Sequence, residues 1–203
     1  MSERSASYLQ TERGTVVDRF GVWLSARQIR RAVPSFAGKR VGDFGCGFQA
    51  SFARSVLDEA AGLVLVDVAL ADDLKRDGRV RAIEGRLPEA LAGLPSGGLD
   101  VVLLVSVLEH VEQPQQLLAE AARLLAPGGV ALINVPSWRG KRYLELATFR
   151  LHLGAAGEVD DHKMYYDVRD LWPLLVAAGF RPSQIKCFSH KFGLNTFAVC
   201  RAG

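Results

Sequence analysis

The residues best placed to do chemistry lie together near the start of the chain. Positions 41–50 read Val-Gly-Asp-Phe-Gly-Cys-Gly-Phe-Gln-Ala. Apolar residues ending at Phe44 predict a short strand, Gly45 and Gly47 permit a tight turn, and a helix is expected to follow. Glycines let a backbone approach a ligand closely, and a helix N-terminus offers free N–H groups. Asp67 ends the next apolar run. A carboxylate there can accept hydrogen bonds from ribose hydroxyls. The pattern predicts a nucleoside site at the carboxyl edge of a sheet.

Two cofactor classes fit such a site. Gly45-x-Gly47-x-x-Ala50, with Asp67 20 positions beyond Gly47, matches the relaxed dinucleotide fingerprint of a nicotinamide-dependent (NAD or NADP) oxidoreductase. Read from Asp43, the loop is instead Asp-x-Gly-x-Gly, which suits S-adenosylmethionine. His110, just beyond a predicted fourth strand, is a candidate general base, since an imidazole titrates near 6.5. Its bland alternative is to shape the pocket wall together with Glu109. His162 is a second candidate, with Asp161 able to fix its tautomer, or else it packs a cover onto the sheet. Cys46 is either a thiol activated at a helix start or a small residue packed against cofactor.

These residues need elements to position them. Helical spacing predicts a helix over 16–33, stopped by Pro34. Strands are expected at Arg40–Phe44, Leu63–Asp67, Val80–Glu84, Leu99–Val105 and Val130–Val135. Helices are expected around Ala53–Ala60, Ala71–Arg76, Pro114–Leu125 and Arg142–Leu153. Pro127-Gly128-Gly129 is expected to break the chain before the fifth strand. Asp167 with Asp170 resembles a helix cap and Gly179 a stop, with Pro173 in conflict between them. Two closing strands, 184–189 and 196–201, would pair antiparallel. Unbroken apolar strands alternating with amphipathic helices predict an α/β, doubly wound, Rossmann-like sheet of seven strands, mostly parallel.

At this point a resemblance is plain. The chain resembles class I S-adenosylmethionine-dependent methyltransferases, the type 11-like group related to quinone-biosynthesis methyltransferases. Asp43-Phe44-Gly45-Cys46-Gly47 is similar to that family's first motif and Asp67 to its ribose-binding acid. Leu99-Asp100-Val101-Val102 with Ser106-Val107-Leu108-Glu109-His110-Val111 resembles its fourth-strand motif. Leu124–Gly129 matches the turn into strand five, and Asp161-His162, Tyr165-Tyr166 and Ala178-Gly179-Phe180 its C-terminal segment. The resemblance spans residues 40–201. It implies that S-adenosyl-L-methionine is held by Asp43, Phe44, Gly45, Cys46, Gly47, Asp67, Val68, Gly85, Arg86, Leu87, Ser106 and Val107. It implies methyl transfer to an oxygen or nitrogen of a small molecule by in-line displacement.

The chain departs from the pattern twice. Gln49 replaces a third glycine, where its side chain would reach the methionine end of the cofactor. Arg86 stands where an acid usually meets the adenine amine. Arginine has no acceptor, so Glu84 or backbone groups would serve. Both departures also allow a non-catalytic relative that keeps the fold as a binding protein.

Composition sets the remaining expectations. The 203 residues are 49% hydrophobic with a net charge of +3, which fits one globular domain and argues weakly for nucleic acid. Cys46, Cys187 and Cys200 form neither a disulfide framework nor a metal-ligand spacing. The polar start and the absence of a long apolar run predict a cytoplasmic protein without transmembrane segments. Residues 1–36 are expected to form a helical lid carrying Trp23 and Arg27, and 137–166 a substrate cover. The cover interleaves Trp138, Arg139, Lys141, Arg142, Tyr143, Phe149, Arg150 and His152. That mixture suits an acidic or phosphorylated acceptor, diluted by Glu145, Glu158, Asp160 and Asp161.

Overall fold

The computed structural model describes residues 16–145 and 163–203. Helix α1 is Val16–Ala32. Seven strands follow in chain order: β1 Arg40–Phe44, β2 Gly62–Asp67, β3 Val80–Glu84, β4 Leu99–Val105, β5 Leu125–Pro136, β6 Ile185–His190 and β7 Asn195–Arg201. They form one sheet in the order β3-β2-β1-β4-β5-β7-β6. The first five are parallel, and β7 runs antiparallel between β5 and β6. The expected seven-stranded sheet with an antiparallel closing pair is therefore observed. The order reverses between β1 and β4, and in such sheets ligands bind at that crevice, beyond the carboxyl ends of the strands.

Both faces of the sheet are covered, which is why its strands read as solid apolar runs. Helices α4 (Pro114–Leu124) and α6 (Val168–Ala177) pack Leu117, Leu118, Leu124, Leu171 and Leu175 on one face. On the other face α1 contributes Ile29, followed by Val33 and Phe36, beside Ala53, Val56 and Leu74. Each of the larger side chains among them, fully buried, contributes about 1.5–3 kcal/mol. The C-terminal half of α1 is thus part of the core, and Arg30 reinforces it by donating to the Ser55 carbonyl at 3.1 Å. Its N-terminal half differs. Trp23 is 52% exposed and Phe20 stacks on it at 5.7 Å between centroids.

Several element boundaries differ from the sequence reading. The helix expected over Ala53–Ala60 is only one turn, α2 (Ser51–Arg54), continued by irregular turns that still bury Val56. Helix α3 is Asp72–Arg76. Pro127-Gly128-Gly129 does not precede the fifth strand, which already begins at Leu125. Strand β5 runs through it with a register shift opposite Leu99–Val101, and Gly128 takes φ 74. The helix placed over Arg142–Leu153 begins earlier, as α5 (Trp138–Glu145), and residues 146–162 lie outside the described residues. Helix α6 keeps Pro173, which is exposed. The carbonyl that loses its helical partner can then be hydrated. The predicted capping box of Asp167 and Asp170 is present.

Candidate active site

The turn after β1 is built by backbone conformations that its sequence permits. Gly45 has φ 73 and Gly47 φ 75, the left-handed region that costs other residues about 1–2 kcal/mol. A Cβ on Gly45 would lie 2.5 Å from Val107 Cγ2. The glycine thus lets the β1 turn and the β4 turn touch at the switch point. Gly45→Ala is expected to lower the melting temperature by several degrees, since it adds overpacking to backbone strain. Gly38→Ala is the control. Gly38 has φ 68 with nothing near its absent Cβ, so it carries the strain alone and should melt closer to wild type.

Asp67 ties this turn to β2. Its Oδ2 accepts the Gly47 N–H and its Oδ1 the Val68 N–H, both at 2.8 Å. A carboxylate has about four acceptor positions, so a plane fixed this way remains compatible with vicinal hydroxyls. The Gly45 N–H donates to the Val66 carbonyl at 2.7 Å and the Gly85 N–H to the Asp67 carbonyl at 2.9 Å. Gly85 is thereby held beside the acid. Asp43 lies beneath the turn, 6% exposed. Burial, and then the charge of Asp67, push its carboxyl up to about 7. Two acids converging below a glycine turn suit a ligand with both hydroxyls and positive charge. The donor set therefore fits S-adenosylmethionine, which carries a ribose, an ammonium and a sulfonium.

Other predicted residues take more limited parts. Phe44 is fully buried in the core, so only its backbone borders the turn. The Cys46 thiol packs against the Val66 carbonyl at 3.8 Å, and burial raises its pKa. It is the small packed residue and not an activated thiol. Ser106 takes φ 56 and donates its N–H to the Asn134 carbonyl at 2.8 Å, which turns the chain sharply after β4. Val107 is buried against Gly45. Leu87 packs on the core and Arg86 is exposed.

Gln49 and Glu84, the residues at and beside the two departures, both have local partners. Gln49 is exposed and engaged by Arg54. Its carbonyl accepts from Arg54 Nε at 2.7 Å, and its Oε1 lies 3.4 Å from Arg54 Nη2. Arg54 also forks onto Asp73 at 2.6 and 2.9 Å, which links the loop to α3. Glu84 is committed elsewhere. Its Oε1 accepts the Leu70 N–H at 2.8 Å and Lys75 Nζ at 3.2 Å.

His110 ends a 3-10 turn, Leu108–His110, at the carboxyl end of β4 and is half-buried. His162 and Asp161 lie outside the described residues. Beyond them the chain returns across the strand ends: the Lys163 N–H donates to the Glu109 carbonyl at 2.7 Å and Tyr166 N–H to the Pro136 carbonyl at 2.9 Å. Tyr165 and Tyr166 are both buried as packing residues. Of the basic and aromatic cover, Trp138, Arg139, Arg142 and Tyr143 are exposed, while Phe149, Arg150 and His152 lie outside the described residues. Trp138 Nε1 donates to Asp170 Oδ2 at 3.1 Å. A cavity of about 560 Å³ adjoins the end of β5, lined by Ser137, Asp167, Trp172, Ser189 and Thr196 among others.

The sequence reading gave no role to three residues here. Ser137 Oγ donates to the Gly193 carbonyl at 2.7 Å and accepts the Gly140 N–H at 3.0 Å, joining the cover to the β6–β7 loop. Asn134 is fully buried beside Ser106, with no partner for its side-chain amide among the described residues. Burial pushes the Lys191 amine down to about 8, opposed by Glu109. None has a local sequence signal, because each depends on strands or loops distant in the chain.

Comparison with known proteins gives the family. The family described as methyltransferase domain matches residues 18–185. A ubiquinone biosynthesis O-methyltransferase of Psychrobacter arcticus is 28% identical over 80% of this chain and 67% of its own length. That of Methylococcus capsulatus is 32% identical over 58% of this chain and 52% of its own. The chain thus spans about half to two thirds of these relatives. A SAM-dependent methyltransferase from Archaeoglobus fulgidus superposes with a TM-score of 0.64 at 18% identity, covering 92% of this chain and all of that one. The nicotinamide alternative fails on the family match and leaves the antiparallel β7 unexplained. The chain belongs to the methyltransferase-domain family, a family of S-adenosylmethionine-dependent enzymes.

Proposed function

We propose that the protein transfers the methyl group of S-adenosylmethionine to an oxygen of a small-molecule acceptor. The observation that carries this reading is the carboxylate of Asp67, fixed by the N–H groups of Gly47 and Val68 at the switch point. Oxygen is favoured over nitrogen by the relatives, which are named as O-methyltransferases. The 560 Å³ cavity beside β5 has the size of a small-molecule site. In this reading Asp67 takes the ribose and Asp43 faces the cofactor's positive charge. With Glu84 engaged by Leu70 and Lys75, the adenine amine falls to backbone groups at Gly85–Leu87.

The sulfonium activates its own methyl group. The chain's residues therefore have to align acceptor oxygen, methyl carbon and sulfur, and exclude water. A hydroxyl acceptor also needs its proton removed, and His110, at the carboxyl end of β4, is the base in this proposal. The exposed N-terminal half of α1 is the lid. Titration calorimetry with S-adenosylhomocysteine tests the cofactor site, and micromolar binding is expected. A folded protein that does not bind it would overturn the proposal. His110→Ala is expected to lower kcat on the order of a hundredfold against a responsive phenol or catechol, with cofactor affinity unchanged. An unchanged kcat would leave His110 as pocket wall.

A further inference from the structure

Asn134 is a polar residue in an apolar place. It lies in β5, which is paired on both sides, level with Val105 of β4 and Phe197 of β7. Its neighbours in the chain are Ile133 and Val135. Asparagine is depleted from strands, and a β-branched apolar residue suits such a position better. The side chain is fully buried. Neither Oδ1 nor Nδ2 has a hydrogen-bond partner among the described residues. A carboxamide buried in this way is destabilising, because folding strips its water and returns no bond. Such an orphan in an otherwise apolar sheet points to a partner that arrives from outside the chain.

The alternation of β5 fixes the direction of this side chain. Ile133 and Val135 belong to the core under α4 and α6, and Leu132 to the core on the α1 side. Asn134 therefore points to the α1 side. Phe197 faces the same way. The His190 ring packs edge-on against Phe197 at 5.5 Å and hydrogen-bonds the Leu24 backbone of α1. The amide thus lies on the side of the sheet that α1 covers, where the proposed function places its lid. Asp43 occupies the same face, two strands away on β1 and two residues further from the carboxyl edge. Two strand spacings are about 10 Å. That leaves room for the charged end of a cofactor at Asp43 and a second molecule beside Asn134.

We propose that Asn134 selects and orients the methyl acceptor, by binding a molecule that carries a hydrogen-bond donor and a hydrogen-bond acceptor on neighbouring atoms. This assignment rests on the proposed methyl transfer and deepens it. A carboxamide offers a carbonyl oxygen and an NH2 group side by side. A carboxylate would satisfy only Nδ2, and an ammonium only Oδ1. Two adjacent hydroxyls satisfy both, one donating to Oδ1 and the other accepting from Nδ2, and so does a hydroxyl beside a carboxamide. A molecule with a single hydroxyl leaves one amide atom buried without a partner, so the site discriminates against it.

The test compares methyl transfer from S-adenosylmethionine to catechol and to phenol, which differ by the second hydroxyl. Wild type is expected to favour catechol at least tenfold in kcat/KM. Asn134→Leu replaces the amide by an apolar group of similar shape, and Asn134→Ala adds no volume. Each should lower kcat/KM for catechol at least tenfold more than for phenol, so that the preference disappears. A second readout needs no turnover. With S-adenosylhomocysteine bound, catechol should raise the melting temperature of wild type more than that of either variant. Without ligands Asn134→Leu should melt no lower than wild type, since it removes two unsatisfied polar atoms. Affinity for S-adenosylhomocysteine should match wild type in both variants. A preference kept by both variants makes Asn134 a structural amide and overturns the proposal. So does a wild type that binds S-adenosylhomocysteine but does not distinguish catechol from phenol by either readout, and in both cases the cofactor site stands. A folded wild type that does not bind S-adenosylhomocysteine overturns the proposed function, and this assignment with it.

Discussion

Asp67→Ala is expected to weaken S-adenosylhomocysteine binding at least tenfold, and it is the substitution with the largest effect on the cofactor site. The wild-type carboxylate has two tasks. It fixes the glycine turn through Gly47 and caps the β2 end through Val68, both at 2.8 Å. In the proposed function it also accepts the ribose hydroxyls. Alanine removes the acceptors and leaves two backbone donors unsatisfied. A hydrogen bond to a charged group contributes about 1.5–3 kcal/mol, which alone converts to tenfold or more. Asp67→Asn keeps the shape and one acceptor oxygen, so its loss should be smaller. Calorimetry on folded samples of both decides the matter. An affinity unchanged by alanine would remove Asp67 from the cofactor site.

Asp43→Asn is expected to move stability and binding in opposite directions. The Asp43 carboxyl sits at about 7 in the folded chain, raised first by burial and then by Asp67, against an ordinary 3.8. The native state therefore keeps a proton that the unfolded chain releases between about pH 4 and pH 7. Stability from this group is complete below about pH 4 and is lost as pH rises through 7. Above that, the ionised group costs on the order of 4 kcal/mol, as an upper bound for a single site. Asparagine removes that cost. The ligand-free variant should melt several degrees higher at pH 8, with the gain shrinking towards pH 5. A positively charged ligand needs the ionised form, so wild-type affinity should rise between pH 6 and pH 8. The variant should bind at least tenfold more weakly at pH 8 and lose that pH dependence. A variant that binds as wild type, with the same pH profile, would show that Asp43 only orders the turn.

Much of this molecule is written locally. The apolar runs at Leu63–Val66 and Leu99–Val105 could only be strands covered on both faces, and the structure buries them so. The turn at Gly45 and Gly47 was legible because few residues other than glycine adopt its backbone. The capping box at Asp167 and Asp170 was legible because its partners are three residues apart. Elements whose length is set by packing were less legible. The face Ala53, Val56, Leu57 and Ala60 has helical spacing, yet only one helical turn forms, and the turns that follow it still bury Val56. The Pro127-Gly128-Gly129 turn reads as a break, but its pairing partner, β4, lets β5 pass through it as an irregularity.

The departures at Gln49 and Arg86 show the same division. Sequence alone identified them as unusual for the site. Only the fold shows that Arg54, held by Asp73, engages Gln49, and that Glu84 is occupied by Leu70 and Lys75. Sequence by itself determined the sheet class, the glycine turn and the acid at the end of β2. Each follows from hydrophobic period, backbone sterics or a short spacing, which act within a few residues. Tertiary structure alone decided which carboxylates share a field, that Ser137 meets the Gly193 carbonyl, and that Lys191 faces Glu109. Those depend on packing between segments far apart in the chain, and neither residue type nor spacing encodes it locally.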